Sequence, residues 1–338
     1  MSTLRKRKLT KNQSRRIAEN LAFDGDEDTL STGVVVAHFG KQLDVQITQL
    51  STHEHTLTVG AICRCHARTN LPLLTTGDKV LISYDAIAHL GRIEKLLPRT
   101  TLITRPDRYH KIKPVGANVA LLVIVFAPLP KPATSLIDRY LLISHITDVP
   151  ALLVLNKSDL LDNHPEVLQI YKEYQSLGLD IILTSGVTQD GMDALKTYID
   201  GKLSIFAGQS GVGKSSLINT LLPHANQDTN IISKGSQLGQ HTTTTSRLLA
   251  YNPYELDKGG VIDTPGIREF GIWHLSKDAV LGAFKELSAL AGECQFRDCA
   301  HLEQSKGCAL WAAAKAGTVL PRRIKSLTDL QAESQNTA

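Results

Sequence analysis

The sequence predicts a multidomain fold: a small β-barrel, then an α/β layer on a parallel sheet, then a helical metal-binding segment. Three observations carry this reading. Short β-branched runs separated by turn residues fill 33–97, with no helical stretch of length. From Val119 onward, continuous apolar runs alternate with segments of helical spacing. Three of the five cysteines and one histidine crowd into residues 294–308. The 338 residues allow roughly two or three domains. With 42% hydrophobic and 21% charged residues, wholesale disorder is excluded. The longest purely apolar run, Val119–Ala127, is nine residues. A membrane helix needs about 20, so no membrane partner is expected. The basic N-terminus lacks the apolar stretch of a secretory signal, and an odd cysteine number suits a reducing, cytoplasmic setting.

The formal charge of +4 is unevenly spread. Residues 1–20 hold seven basic side chains (Arg5, Lys6, Arg7, Lys8, Lys11, Arg15, Arg16) against the single acid Glu19. Residues 1–29 therefore read as a flexible basic arm. It is either a solvated tail or an arm that orders against nucleic-acid phosphate.

Residues 30–105 read as the barrel. Its strands are expected at Val34–His38, Leu43–Ile47, Thr56–His66, Lys79–Ser83 and Leu90–Leu96. Five short antiparallel strands fit a closed barrel of the OB type, a common oligonucleotide binder. Eight basic and five acidic residues in this stretch permit RNA binding. Cys63 and Cys65, two apart on a strand, face one side and read as ordinary thiols. Residues 98–113 read as a basic linker.

Residues 106–275 carry the α/β layer. Strands are expected at Val119–Phe126, Ala151–Leu155, Ile181–Thr184, Leu203–Phe206 and Val261–Ile262, and helices at Ser135–Ile146 and Pro165–Leu177. Gly208-Gln209-Ser210-Gly211-Val212-Gly213-Lys214-Ser215 matches the phosphate-loop pattern, with a strand before it and a helix from Ser216 after it. The glycines let backbone N–H groups wrap phosphate oxygens, and the helix N-terminus adds its dipole. Lys214 would serve the β- and γ-phosphates, and Ser215 a Mg²⁺ ion. Asp263, 48 residues after Ser215 and at a strand end, is the expected acid for that Mg²⁺. Gly266 would offer its N–H to the γ-phosphate.

Asn156-Lys157-Ser158-Asp159 follows the strand Ala151–Leu155. The Asp159 carboxylate presents two acceptors to the N1–H and amine edge of guanine, which adenine does not match. Asn156 and Lys157 would brace the loop. Ser185, in Thr184-Ser185-Gly186, would help lend backbone N–H groups to the guanine oxygen. The order is unusual: the base-reading motif lies 52 residues ahead of Gly208, as in a circularly permuted GTPase domain.

These residues resemble the RsgA/YjeQ family of circularly permuted GTPases that depend on the small ribosomal subunit. The likeness covers almost the whole chain: basic arm, OB-like barrel, N-K-S-D, G-Q-S-G-V-G-K-S-S, G-Q-H-T-T-T, D-T-P-G-I-R-E-F and a Cys/His cluster. It implies a late factor in small-subunit assembly that binds the subunit and ribosomal RNA and hydrolyses GTP there.

Many GTPases place a water-orienting glutamine directly after the D-x-x-G glycine. Here that position is Ile267, which predicts slow intrinsic hydrolysis. Gly239–Thr245 has the content of a switch loop. One threonine, assigned to Thr243, would ligate Mg²⁺. His241 either orients the water or is a solvent-exposed or RNA-contacting histidine.

Residues 276–338 read as a helical zinc-binding domain. Cys294, Cys299, His301 and Cys308 supply a closed set of three thiolates and one imidazole for one structural Zn²⁺. The resemblance implies five residues between the histidine and the last cysteine, whereas this chain has six. Helices are expected at Asp278–Ala291 and Ala309–Ala316, with Trp311 packed. Arg322, Arg323 and Lys325 read as a solvated basic end with RNA contact as the alternative. The leading reading is a monomeric GTP-hydrolysing assembly factor. The alternative is an RNA-binding module in which GTP is only an affinity or folding cofactor.

Overall fold

Valine and isoleucine at alternate positions, punctuated by Gly40, Gly60 and Gly77, build the N-terminal barrel. The computed structural model describes residues 26–106, 111–223, 246–252, 255–263, 272 and 275–335. Residues 1–25 of the basic arm and the 239–245 loop lie outside them.

Five strands, β1 (Ser31–Phe39), β2 (Gln42–Gln49), β3 (Ile62–Ala67), β4 (Lys79–Asp85) and β5 (Leu90–Leu96), pair in the circuit β1-β2-β3-β5-β4-β1. All pairs are antiparallel except β3–β5. The circuit closes as an OB-type barrel, which leaves no free edge within it. Val35, Val45, Ile47, Cys63, Cys65, Val80, Ile82 and Ile93 fill it. The strand expected at Thr56–His66 begins only at Ile62. Its first half is a loop because the Glu54 carboxylate takes the Thr56 and Leu57 N–H groups at 2.7 and 3.0 Å, diverting them from any ladder. Cys63 and Cys65 do share a face, buried with their sulfurs 3.4 Å apart.

The stretch read as a linker is instead half hairpin. β6 (Leu102–Pro106) pairs antiparallel with β7 (Ile112–Ala117), and Ile103 is buried. Basic residues on the exposed side hid the strand pattern.

The α/β layer follows as β8 (Leu121–Phe126), α1 (Thr134–Thr147), β9 (Ala151–Asn156), α2 (Glu166–Ser176), β10 (Ile181–Thr184), α3 (Met192–Ile199), β11 (Leu203–Gly208), α4 (Lys214–Leu221), β12 (Arg247–Ala250) and β13 (Gly260–Asp263). The sheet order is β10-β9-β8-β11-β13-β12, parallel except for β12. Strand β8 is apolar throughout because both its faces are covered. Leu122, Ile124 and Phe126 pack toward α1 and α2, while Leu121, Val123 and Val125 pack toward α3 and α4. On its outer side β12 pairs with β1, so one eleven-stranded sheet runs from the nucleotide-site layer into the barrel.

The C-terminal unit comprises α5 (Lys277–Gly282), α6 (Lys285–Ala291), α7 (Ala309–Lys315) and α8 (Pro321–Glu333). The single helix expected over Asp278–Ala291 breaks at Phe284, whose non-helical backbone (φ −102°, ψ 72°) delivers its ring to the core. The basic end read as solvated is internal. Arg323 is 3% exposed, lies 4.3 Å over the Phe284 ring, and donates to Asp138 on α1 and to Glu286. Arg322 donates to Glu173 at 2.7 Å, and Arg139 donates to Glu333. Asp138 also accepts the Tyr174 hydroxyl at 2.6 Å. Only Lys325 of the three remains exposed.

Removing one member of a buried, hydrogen-bonded charge set strands the others. We expect Arg323→Ala to lower stability by about 3–5 kcal/mol in chemical denaturation of the full chain. A loss under about 1 kcal/mol would refute the role given to this set.

Candidate functional site

The carboxyl ends of β11, β9, β10 and β13 converge on one edge of the sheet, where ligands sit in open α/β layers. The phosphate loop spans β11 and α4. Gly208 (φ 139°) runs so close to β8 that a Cβ would lie 2.1 Å from the Val125 carbonyl oxygen. Gly213 (φ 96°) leaves no room for a Cβ either, which would lie 2.3 Å from Asn156 Nδ2. Lys214 opens α4 and folds its ammonium back over the loop, donating to the Gly208 and Gln209 carbonyls at 2.8 and 2.7 Å. The cation thus sits at the loop, where phosphate charge would be met. The Gln209 side-chain oxygen is buried without a hydrogen bond among the described residues. Ser210 and Gly211 are exposed, and Val212 is buried beneath the loop. Ser215 and Ser216 occupy the first turn of α4, where N–H groups have no intrahelical acceptor.

The base-reading loop is tied to this phosphate loop directly. Asn156, 3% exposed, donates from Nδ2 to the Val212 carbonyl at 2.9 Å and accepts the Thr184 hydroxyl at 3.1 Å. Lys157, at a left-handed φ of 59°, donates to the Gly211 and Leu129 carbonyls at 2.7 and 2.8 Å. Ser158 starts a 3-10 turn that carries Asp159 outward. One Asp159 oxygen accepts the Ser185 hydroxyl at 2.6 Å. The Ser185 N–H donates to Asp190, so this residue contributes its hydroxyl to the site rather than its backbone. Thr184, fully buried, belongs to the Thr184-Ser185-Gly186 motif, but its hydroxyl's hold on Asn156 was not legible in the sequence.

Asp263 ends β13 beside the phosphate loop's strand and is open to solvent on one side. The protein packed behind it pushes its carboxyl above the usual range, and the Arg247 guanidinium opposes that shift. His241, Thr243 and Gly266 lie outside the described residues, as does Ile267.

A second cluster lies in the C-terminal unit. The ligand atoms of Cys294, Cys299, His301 and Cys308 all lie within 4.8 Å of one another. Nδ1 of His301 is 3.7 Å from the sulfurs of Cys294 and of Cys308. Bonds of about 2.3 Å to sulfur and 2.0 Å to nitrogen at a tetrahedral centre give a similar edge. His301 takes a left-handed φ of 53°, and Trp311 Nε1 holds its carbonyl at 2.8 Å. Desolvation pushes the Cys308 thiol up to about 11, so a bound cation would be what makes it a thiolate at neutral pH. The six residues between His301 and Cys308 close the turn before α7, where Gly307 has φ 67°. The donor set fits a closed zinc site.

The fold and the nucleotide loops define a P-loop GTPase in which the base-reading motif precedes the phosphate loop. A family model described as RsgA GTPase matches residues 96–273. The small ribosomal subunit biogenesis GTPase RsgA of Alcanivorax borkumensis is 42% identical over 323 residues, covering 95% of this chain and 87% of that protein. The protein of the same name from Pseudomonas syringae pv. tomato is 44% identical, covering 89% and 85%. The chain belongs to the RsgA GTPase family and is a GTPase. The crystal structure of YjeQ from Thermotoga maritima, 28% identical, superposes with a TM-score of 0.68 over 91% of this chain and all of that one. YloQ, described as a circularly permuted GTPase, shares the fold at 23% identity and a TM-score of 0.64, covering 94% and 99%.

Gly213→Ala is expected to force the phosphate loop off Asn156. A strain of about 1–3 kcal/mol predicts roughly tenfold or greater weakening of fluorescent-GDP binding. Unchanged binding in a titration would mean that the loop can give way there.

Proposed function

We propose that this chain hydrolyses GTP as an assembly factor of the small ribosomal subunit, acting late in its maturation on binding the subunit and its RNA. The observation that carries the reading is the direct bonding of Asn156 to Val212 and Lys157 to Gly211. These bonds bring the base-reading and phosphate loops together despite the reversed motif order, which supports a guanine-nucleotide site. The names carried by the relatives support the ribosomal assignment.

In this reading Asp159 selects guanine. Backbone N–H groups of Gly208–Ser216 hold the phosphates, and Lys214 offsets their charge. Ser215, Thr243 and Asp263 would hold Mg²⁺, which neutralises charge developing on the phosphates. Gly266 would contact the γ-phosphate, and His241 would orient the water in place of the glutamine that Ile267 replaces. One structural Zn²⁺ would occupy Cys294, Cys299, His301 and Cys308. The four units are the arm 1–29, the RNA-binding barrel 30–105, the GTPase domain 106–275 and the zinc domain 276–338. The protein is proposed to act as a cytoplasmic monomer. Among the described residues, no helix is long and apolar enough to cross a membrane.

GTP turnover should rise at least tenfold on adding purified small subunits, and Lys214→Ala should abolish it. Absence of stimulation would leave the RNA-binding module as the better account. Deleting residues 1–20, with their seven basic side chains, should weaken subunit binding and flatten its salt dependence while sparing GTP affinity. Metal analysis should find one zinc per chain, lost in Cys299→Ser. A metal-free wild-type chain with an intact C-terminal unit would contradict the zinc assignment.

A further inference from the structure

Two of the five cysteines lie outside the Cys/His cluster, and both sit in the barrel. Cys63 and Cys65 flank Arg64 on the inner face of β3. They are 5% and 0% exposed, and their sulfurs are 3.4 Å apart. The other buried side chains of this core are aliphatic, so the two thiols are its reactive groups. Across the ladder, Cys65 stands opposite Leu43 of β2 and Gly91 of β5. Gly91 is what gives the sulfurs room. A Cβ there would lie 2.4 Å from the Cys65 sulfur and 3.4 Å from that of Cys63.

The two thiols are not equivalent. Cys65 donates to the Cys63 carbonyl at 3.6 Å. Its contact with the Cys63 sulfur holds that thiol below its usual range, while the same contact and burial push Cys65 up. The thiolate is the reacting form of a cysteine. Cys63, the less deeply buried of the two, is therefore the attacking sulfur, and Cys65 is placed to resolve.

We propose that Cys63 and Cys65 are a reversible redox pair, oxidised by a hydroperoxide to a disulfide that bends β3 and loosens the barrel. The Cys63 thiolate attacks the peroxide oxygen, the O–O bond breaks, and Cys63 becomes a sulfenic acid as the leaving oxygen takes up a proton. The Cys65 sulfur then attacks the sulfenic sulfur, its proton leaves with the hydroxyl as water, and the S–S bond forms. For hydrogen peroxide the sum is two thiols and one peroxide to one disulfide and two waters. Extended chain sets Cα atoms two residues apart at about 6.4–6.8 Å. That is the upper edge of the roughly 4.4–6.8 Å a disulfide spans, so closing the bridge shortens β3. Strained bridges are the readily reduced ones, and a dithiol reductant returns the pair to its resting state by exchange.

The test uses the full chain in zinc-containing buffer at neutral pH. Hydrogen peroxide is added at a dose that fully oxidises free glutathione over the same time, and free thiols are then alkylated. Trypsin cleavage after Arg64 puts the two cysteines on separate peptides, 42–64 and 65–68. Mass spectrometry should find these peptides joined, and dithiothreitol should part them. Both cysteines alkylated, or either one bridged to the Cys/His cluster, overturns the proposal. Amide exchange in β3 and β5 should quicken about tenfold or more in the oxidised chain, with β8 and β11 unchanged. Unchanged protection in β3 overturns the loosening of the barrel. Cys65→Ser, which removes the resolving thiol, should leave a sulfenic acid at Cys63 that dimedone captures. Absence of that adduct in a folded variant overturns the order of attack. Should the variant not fold, peptide mapping and exchange on the wild-type chain still decide the redox pair.

Discussion

The hydrogen bond from Asn156 to the Val212 carbonyl is the constraint around which the nucleotide site is organised. It joins two loops from different strands, and both its ends are buried. A lone buried amide of this kind contributes only about 1 kcal/mol, but leaving it unmade costs more. The neighbouring contacts make it a clamp. Thr184 holds the Asn156 oxygen, Lys157 holds the next phosphate-loop carbonyl, and Gly213 leaves the space that the amide fills. Base recognition and phosphate binding are thus set by one packed unit. Chain order is irrelevant to it, because a parallel sheet delivers β9, β10, β11 and β13 to the same edge whichever comes first. Permutation then decides what the ends of the layer feed into: a barrel before β8 and a helical unit after β13.

Charge follows the same division of labour. Residues 106–275 hold 14 basic and 16 acidic side chains, so the nucleotide layer carries no surplus for RNA. The C-terminal unit has little to spare either, since Arg322 and Arg323 are spent on Glu173, Asp138 and Glu286. These pairs fasten α8 to α1 and α2. Cation surplus for a polyanionic partner therefore rests with residues 1–20 and the barrel, upstream of the GTPase layer.

The parts legible in the sequence were those whose chemistry is local. The phosphate loop, Asn156–Asp159 and the Cys/His cluster are short segments in which spacing alone fixes geometry. Strand β8 was legible because burial on both faces leaves a continuous apolar run. The illegible parts depend on distant partners. Strand β12 has four residues and exists through its pairing with β13 and β1. Arg323 looks like a surface cation until α8 docks and Asp138 arrives from 185 residues away. Glu54 dissolved half of an expected strand by capturing two backbone N–H groups, a local event that β-propensity does not weigh. Arg247 offered no signal beyond being a lone cation at the head of an apolar run.

Strand β12 shows why the continuous sheet matters. Had the barrel been joined to the layer only through a flexible linker, its orientation would carry no information about the nucleotide. The stretch between them is instead a hairpin, β6–β7. Asn118 bonds the Gly77 carbonyl at 2.8 Å, Arg99 pairs with the fully buried Asp78, and β1 pairs with β12. Packed interfaces of this kind do not deform gradually but shift between discrete arrangements. Strand β12 lies between the proposed Mg²⁺ acid on one side and the barrel on the other, and it directly follows the 239–245 loop in sequence. A change of state in either neighbour must therefore be accommodated by this strand, the one that pairs with both the barrel and the nucleotide layer.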